Sequence, residues 1–368
     1  MHGAGEHRES LSMVEKLLPV WIILSMVVGL GIGKLINASN VDLLPPVIAL
    51  ASIVKGTFQF DLGHIISLGI PIGLFLMIYP AMAKIHLEDA KKALTSGRAA
   101  GVVVFFNYAI NPFLLWLFGW IFLRNHPDLW TGLVLLGVAP CIAMVLVWTD
   151  LARGNNAMAL TLMAWNSLIQ MVTTPLFIFL IIGSRVKLDV SLIAESVILF
   201  LGLPLLIGVL TRGSAIKRKG EEWFEKRFVP VINNVQLIAL LFTLVIMFSL
   251  KGDVIIAKPE LIYLMAVPLI LFFVTLFMLT FFVARQVKLN YEDSVAVGFN
   301  STGRNFELAI AIALTAFVAR PMVGVSTVVG PLIEVPVMLG LVYFAKRMSA
   351  SLFAARKEPE AMFEKIKG

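Results

Sequence analysis

Two stretches decide how this chain is built: GVAPCIAMVLVWTD, Gly137 to Asp150, and NSTGRNFELAIAIA, Asn300 to Ala313. Each belongs to a long apolar run and is interrupted near its middle. In the first, Gly137 and Pro140 interrupt the run and Cys141, the single cysteine, follows at once. In the second the interruption is polar and carries a glycine, Gly303, between Thr302 and Arg304. Proline deletes a backbone donor and clashes with the preceding turn, so a helix kinks or ends there. Backbone groups freed in this way inside a bilayer are costly unless they face protein or a polar cavity. A pair of interrupted apolar segments in corresponding positions points to a substrate site. We therefore expect the functional site to lie between these two segments.

The surrounding chain is apolar throughout. Of its 368 residues 59% are hydrophobic and 14% charged, against about 25% charged in an average globular protein. That leaves too little charge to cover a water-facing surface. The apolar residues fall in runs long enough to cross a bilayer. The first five expected spans are about 17–36, 64–83, 99–123, 130–152 and 157–182. The second five are about 191–212, 229–250, 259–285, 294–318 and 321–345. A further apolar patch, Val41 to Val54, is about 14 residues long and reads as an interfacial or re-entrant helix.

A shift of about 165 residues lays the second span on the seventh, the fourth on the ninth and the fifth on the tenth. Five spans per half is an odd number, so two such copies must be inserted upside down relative to each other. The expected fold is an all-α integral membrane protein of ten transmembrane helices in two inverted five-helix repeats, residues 17–182 and 191–345. A cytoplasmic segment, 1–16, precedes them and a basic cytoplasmic tail, 346–368, follows.

The net charge of +7 suits a nucleic-acid partner only if it is gathered on one face. With the N-terminus inside, about 21 of the Lys and Arg residues fall on the cytoplasmic side and about 8 outside, the positive-inside pattern. The expected partner is membrane lipid and not nucleic acid, with both termini in the cytoplasm. The first span is full length and ends at Lys34 and Asn37, so no removable leader is expected. The five histidines are scattered through loops and span ends, and one cysteine forms neither a disulfide nor a thiolate cage. No cofactor is expected.

Buried thiols often serve as small hydrophobes, but Cys141 directly follows a proline in an interrupted span, which makes it a candidate ligand. Met144 and Trp148 share its helical face. In the other segment Asn300, Arg304, Glu307 and Ala311 recur at helical spacing and suggest one polar stripe. A charge near the bilayer centre costs about 2.5–3.5 kcal/mol on insertion scales. The bland reading is an Arg304–Glu307 pair that only neutralises itself. The functional one makes Glu307, held between desolvation and a neighbouring guanidinium, a carrier of the coupling proton. Glu334, between Pro331 and Pro336, is a further ionisable candidate. Asn166, Gln170 and Thr173 share a face; with Asn107, Asn111 and Thr174 they read as interhelical hydrogen-bonding groups, typically about 0.6 kcal/mol each. Asp150 and Arg153 read as a solvated ion pair.

CIAMVLVWTDLARGN (Cys141 to Asn155) and NFELAIAIA (Asn305 to Ala313) resemble the two signatures of the arsenite efflux permease family, part of the bile acid/sodium symporter superfamily. LFLMIYPAMAKI (Leu74 to Ile85) and EVPVMLGLV (Glu334 to Val342) resemble further family segments, and the similarity extends from the first span to the tenth. The resemblance implies two inverted five-helix repeats whose fourth and ninth helices are broken and crossed. It implies that Cys141 engages arsenic(III) as the transported metalloid and that Glu307 is essential. The candidate binding set is Cys141, Glu307, Arg304, Asn305 and Asn300, with Glu334, Asn166, Gln170 and Trp148 as accessory candidates. The implied activity is secondary active export of arsenite, with antimonite as a further candidate cargo, from the cytoplasm across the cell membrane by antiport with protons. Arg304 stands where the family pattern has a small or amide residue.

Two other functions compete. Sodium-coupled symport of an organic anion (a bile-acid-like steroid, pantothenate or a keto acid) uses the same fold. Asn300, Asn305, Glu307, Asn166, Gln170 and Thr173 would then ligate sodium, and Arg304 would meet a carboxylate. An enzyme with Cys141 as nucleophile needs a base within hydrogen-bond reach, and no histidine stands in the interior of a span.

Overall fold

A computed structural model describes residues 17–38, 62–84, 97–142, 144–183, 190–317 and 319–349. The expected 41–54 segment, the N-terminal segment 1–16 and most of the basic tail lie outside the described residues. Apart from one isolated β-bridge, the regular structure among the described residues is helical. The first five helices are α1 (Leu18–Ala38), α2 (Leu62–Ala83), α3 (Gly97–Phe122), α4 (Pro127–Val138) and α5 (Val145–Leu151). The chain continues through α6 (Asn156–Ile182), α7 (Ser191–Lys219), α8 (Glu221–Ser249) and α9 (Glu260–Gln286). It closes with α10 (Tyr291–Thr302), α11 (Phe306–Ala316) and α12 (Pro321–Met348).

Among the described residues six helices are long and apolar enough to cross a membrane: α3, α6, α7, α8, α9 and α12. Shorter apolar stretches, Val20–Leu35, Pro71–Ala83, Pro127–Val138 and Phe306–Ala316, accompany them. Large apolar side chains such as Leu206, Leu210, Val231 and Ile238 are exposed. In a chain of this composition they face lipid, which needs no polar outer face.

The expected spans 130–152 and 294–318 each appear as two helices with an extended link between them. Two ends also differ from expectation. The seventh helix continues to Lys219 and the eighth begins at Glu221, beyond the apolar runs that hydropathy records. Glu, Lys and Arg are good helix formers, and Glu222 pairs with Lys226 one turn on at 2.7 Å, so the helices run on past their apolar stretches.

The helices pack as two groups. In one, α8 lies against α1 and α2, and α2 against α7. In the other, α9 packs on α10 and α12, α12 on α4 and α11, and α3 on α4. Without a hydrophobic driving force between helices in lipid, close contact relies on small residues. Gly208 of α7 illustrates it: a Cβ there would stand 2.7 Å from the backbone nitrogen of Ala83 in α2. Backbone cannot rotate aside as a side chain can. Gly208→Leu is expected to destabilise the fold by about 1–3 kcal/mol through overpacking, read as a lowered melting temperature of the detergent-solubilised protein.

The crossing of the two broken helices

Pro140 begins the site. The residue before a proline is pushed out of the helical region, and Ala139 is extended, with φ −118° and ψ 107°. Helix α4 therefore stops at Val138. Helix α10 stops at Gly303, also extended, with φ −60° and ψ 142°. The two extended links meet antiparallel, Pro140 opposite Arg304. The Cys141 N–H donates to the Gly303 carbonyl at 3.0 Å, and the Asn305 N–H donates to the Ala139 carbonyl at 2.8 Å.

In a pair bonded through its flanking residues, the two residues directly opposite turn their own N–H groups away from each other. Pro140 has no N–H and loses nothing by standing there. Arg304 does have one, and it donates outward to Glu334 Oε1 of α12 at 3.3 Å. Gly303 permits the close approach: a Cβ on it would lie 3.0 Å from Cys141 Cβ. On the far side of the link the Asn305 side chain caps α11, its Oδ1 accepting from the Leu308 N–H at 3.0 Å.

The guanidinium of Arg304 is fully buried. Its Nε donates to the Thr302 carbonyl at 3.1 Å and Nη1 to the Gly137 carbonyl at 3.3 Å. Nη2 donates to Asn107 Oδ1 at 2.7 Å and to the Ser301 carbonyl. Phe272 covers it, the ring centroid 5.7 Å from the guanidinium carbon. The expected Arg304–Glu307 stripe is therefore corrected. The break places Arg304 on an extended link, and no salt bridge joins it to Glu307 among the described residues. Carbonyls orphaned at two helix ends take the guanidinium instead. Nor does the expected Asp150–Arg153 ion pair occur among the described residues: Asp150 accepts from Asn156 Nδ2 at 2.8 Å.

The remaining candidates divide into two sets. Asn300 and Asn166 are buried beneath the crossing, and Asn166 Nδ2 reaches the Asn300 carbonyl at 3.4 Å. Gln170, also buried, makes no hydrogen bond to either and has no hydrogen-bond partner for either side-chain polar atom among the described residues. Trp148 and Glu334 line a small cavity between the two helix groups, with Met144 and Phe306 beside them and Ile22 of α1 and Leu244 of α8 opposite. Glu307, 3% exposed, sits in the first turn of α11, and its Oε1 has no hydrogen-bond partner among the described residues. Cys141 is 1% exposed, at the crossing itself.

Asn107, Asn111 and Thr174 make the interhelical hydrogen bonds expected of them. Asn107 Nδ2 donates to the Asn300 carbonyl at 3.0 Å, Asn111 Nδ2 to the Ser301 carbonyl at 2.9 Å, and Thr174 Oγ1 to the Val138 carbonyl at 3.2 Å. They serve the open ends of the broken helices. The turn carrying Asn107, Phe105–Ile110, is π-helical and lies just before Pro112. The proline ring crowds the preceding turn, and such wide turns often mark functional positions. An asparagine four residues from another, followed by proline, was the available signal. Asn107→Ala is expected to cost about 1.5–3 kcal/mol, because it leaves part of a buried cation without an acceptor. A thermal melt of the purified protein measures it.

Ionisable and amide side chains gather at paired helix breaks, beside a cavity where two apolar helix groups meet, the arrangement by which membrane transporters build a substrate site. Comparison with known proteins gives the family. Residues 71–258 match the model of the Sodium Bile acid symporter family. The chain is 36% identical to the arsenical-resistance protein Acr3 of Corynebacterium glutamicum, over 93% of this chain and 91% of the relative. It is 33% identical to the Acr3 protein of Alkaliphilus metalliredigens, over 92% and 94%. It is also 33% identical to an uncharacterized transporter of Synechocystis, over 95% and 92%. The chain belongs to the sodium bile acid symporter family.

Proposed function

We propose that the chain exports arsenite from the cytoplasm across the cell membrane in exchange for protons, with antimonite as a second cargo. The observation that carries the reading is the seat of Cys141: a buried thiol, one residue past the proline that breaks α4 and paired through its backbone to the break in α10. The relatives named as arsenical-resistance proteins support the cargo.

Arsenite at neutral pH is an uncharged trihydroxide with a soft, thiophilic centre. One thiol displaces one hydroxyl as water and gives a reversible contact. A cage of several thiolates would retain the metalloid, whereas a transport site must also let go. Glu307 loses its proton inward as arsenite loads from the cytoplasm, and regains one from outside after release. Asn305, Asn300 and Arg304 hold the crossing, with Glu334, Trp148, Asn166 and Gln170 around it. The group containing α4, α5, α10 and α11 moves against the group of α1, α2, α7 and α8. Ten spans in two inverted repeats, 17–182 and 191–345, put both termini on one side, and the positive-inside distribution of Lys and Arg makes that side the cytoplasm.

The test is uptake into everted membrane vesicles. Energised vesicles carrying the protein are expected to accumulate arsenite, and a protonophore is expected to abolish the accumulation. Accumulation driven by a sodium gradient, with an organic anion as cargo, would overturn this reading in favour of the sodium symporter.

A further inference from the structure

The side chain with the most hydrogen bonds at the crossing is one for which arsenite chemistry has no use. Each of the three nitrogens of Arg304 donates to oxygen: three main-chain carbonyls, Gly137, Ser301 and Thr302, and Asn107 Oδ1. The carbonyls come from the last turns of α4 and α10. The C-terminal end of a helix carries partial negative charge, and two such ends converge here on one buried cation. Unwound carbonyls and half-helix C-termini are what membrane transporters use to hold a sodium ion.

We propose that Arg304 is a built-in cation: its guanidinium fills an oxygen-lined monovalent-cation site between the ends of α4 and α10, and makes this chain independent of sodium. A second observation agrees. Asn111 Oδ1, Asn300 Oδ1, Ser301 Oγ and Thr302 Oγ1 are buried oxygens without hydrogen-bond partners among the described residues, on or one turn from the turns that supply the ligands. Removing the guanidinium leaves four oxygens that had accepted from it, the Gly137, Ser301 and Thr302 carbonyls and Asn107 Oδ1, around the vacated space, which suits a hard alkali cation. It also follows that Arg304 is not offered to a cargo carboxylate, because its donors are turned on the protein's own carbonyls and Phe272 covers its face.

The inference rests on the transporter assignment but not on arsenite, and its test uses no cargo. The full-length protein is purified in detergent and melted in sodium chloride and in choline chloride at equal ionic strength. The wild type is expected to melt at the same temperature in both. Arg304→Ala is expected to melt lower in choline and to regain about 2–4 °C in sodium, the scale of a moderately occupied stabilising site. Arg304→Lys, which keeps a positive charge near the same carbonyls, is expected to fold and show no sodium effect. Sodium stabilisation of the wild type overturns the proposal. So does an Arg304→Ala protein that melts alike in both salts, or that cannot be recovered even when sodium is present throughout. If arsenite export fails while the alanine variant responds to sodium, the cargo is wrong and the cation site stands.

Discussion

Everted vesicles carrying Cys141→Ala are expected to accumulate about 100-fold less arsenite than wild type, as the loss of a ligand contact of about 2.7 kcal/mol predicts. The protein should nonetheless insert and melt normally. The link holding residue 141 is a backbone hydrogen bond to the Gly303 carbonyl, which alanine preserves. The change from thiol to methyl is also small in volume, so it leaves little cavity. Activity lost without stability lost separates a cargo ligand from a buried packing residue. Wild-type accumulation by the alanine variant would remove arsenic chemistry from the crossing. A variant that lost stability and activity together would return Cys141 to the role of a small hydrophobe. Cys141→Ser sharpens the result, since it puts a hydroxyl of similar size in the thiol's place, a hard donor with little affinity for a soft metalloid centre.

Glu307→Gln is expected to abolish the response to a proton gradient while leaving arsenite exchange intact. Glutamine fills nearly the same space but carries no titratable proton, so the loaded carrier can still shuttle cargo for cargo. Vesicles preloaded with arsenite should exchange it for labelled arsenite at near wild-type rate, yet fail to concentrate it when energised. Glu307 suits the role because it is buried at the start of α11 with Oε1 unpartnered among the described residues. Glu334 differs, for its Oε1 already accepts the Arg304 N–H. If Glu307→Gln still concentrates arsenite under a pH gradient and Glu334→Gln does not, the coupling proton resides on α12 instead.

Much of the fold was legible because lipid simplifies the code: long apolar runs become helices, and interruptions within them become breaks. Pro140 and Gly303 were readable for that reason, and the structure has breaks at both. The site was less legible. Helical spacing put Arg304 and Glu307 on one stripe, but that inference assumes an unbroken helix between them. Once α10 ends at Thr302, the side chain of residue 304 answers to the carbonyls the break has orphaned. Asn107 and Asn111 were visible as polar residues in an apolar run, but their partners are main-chain oxygens some 190 positions away. No pattern local to either segment encodes that meeting. Phe306, Ile22 and Leu244 line the cavity through packing alone, and nothing distinguishes them by type.

The crossing has an evolutionary reading. Its two central hydrogen bonds run between backbone atoms, Cys141 to Gly303 and Asn305 to Ala139, so they are indifferent to the side chain at residue 141. A lineage can exchange the cysteine there for another residue of similar bulk in one codon and keep the join. The scaffold is thereby insulated from selection on what it carries, and a new cargo can be tried without first risking the fold.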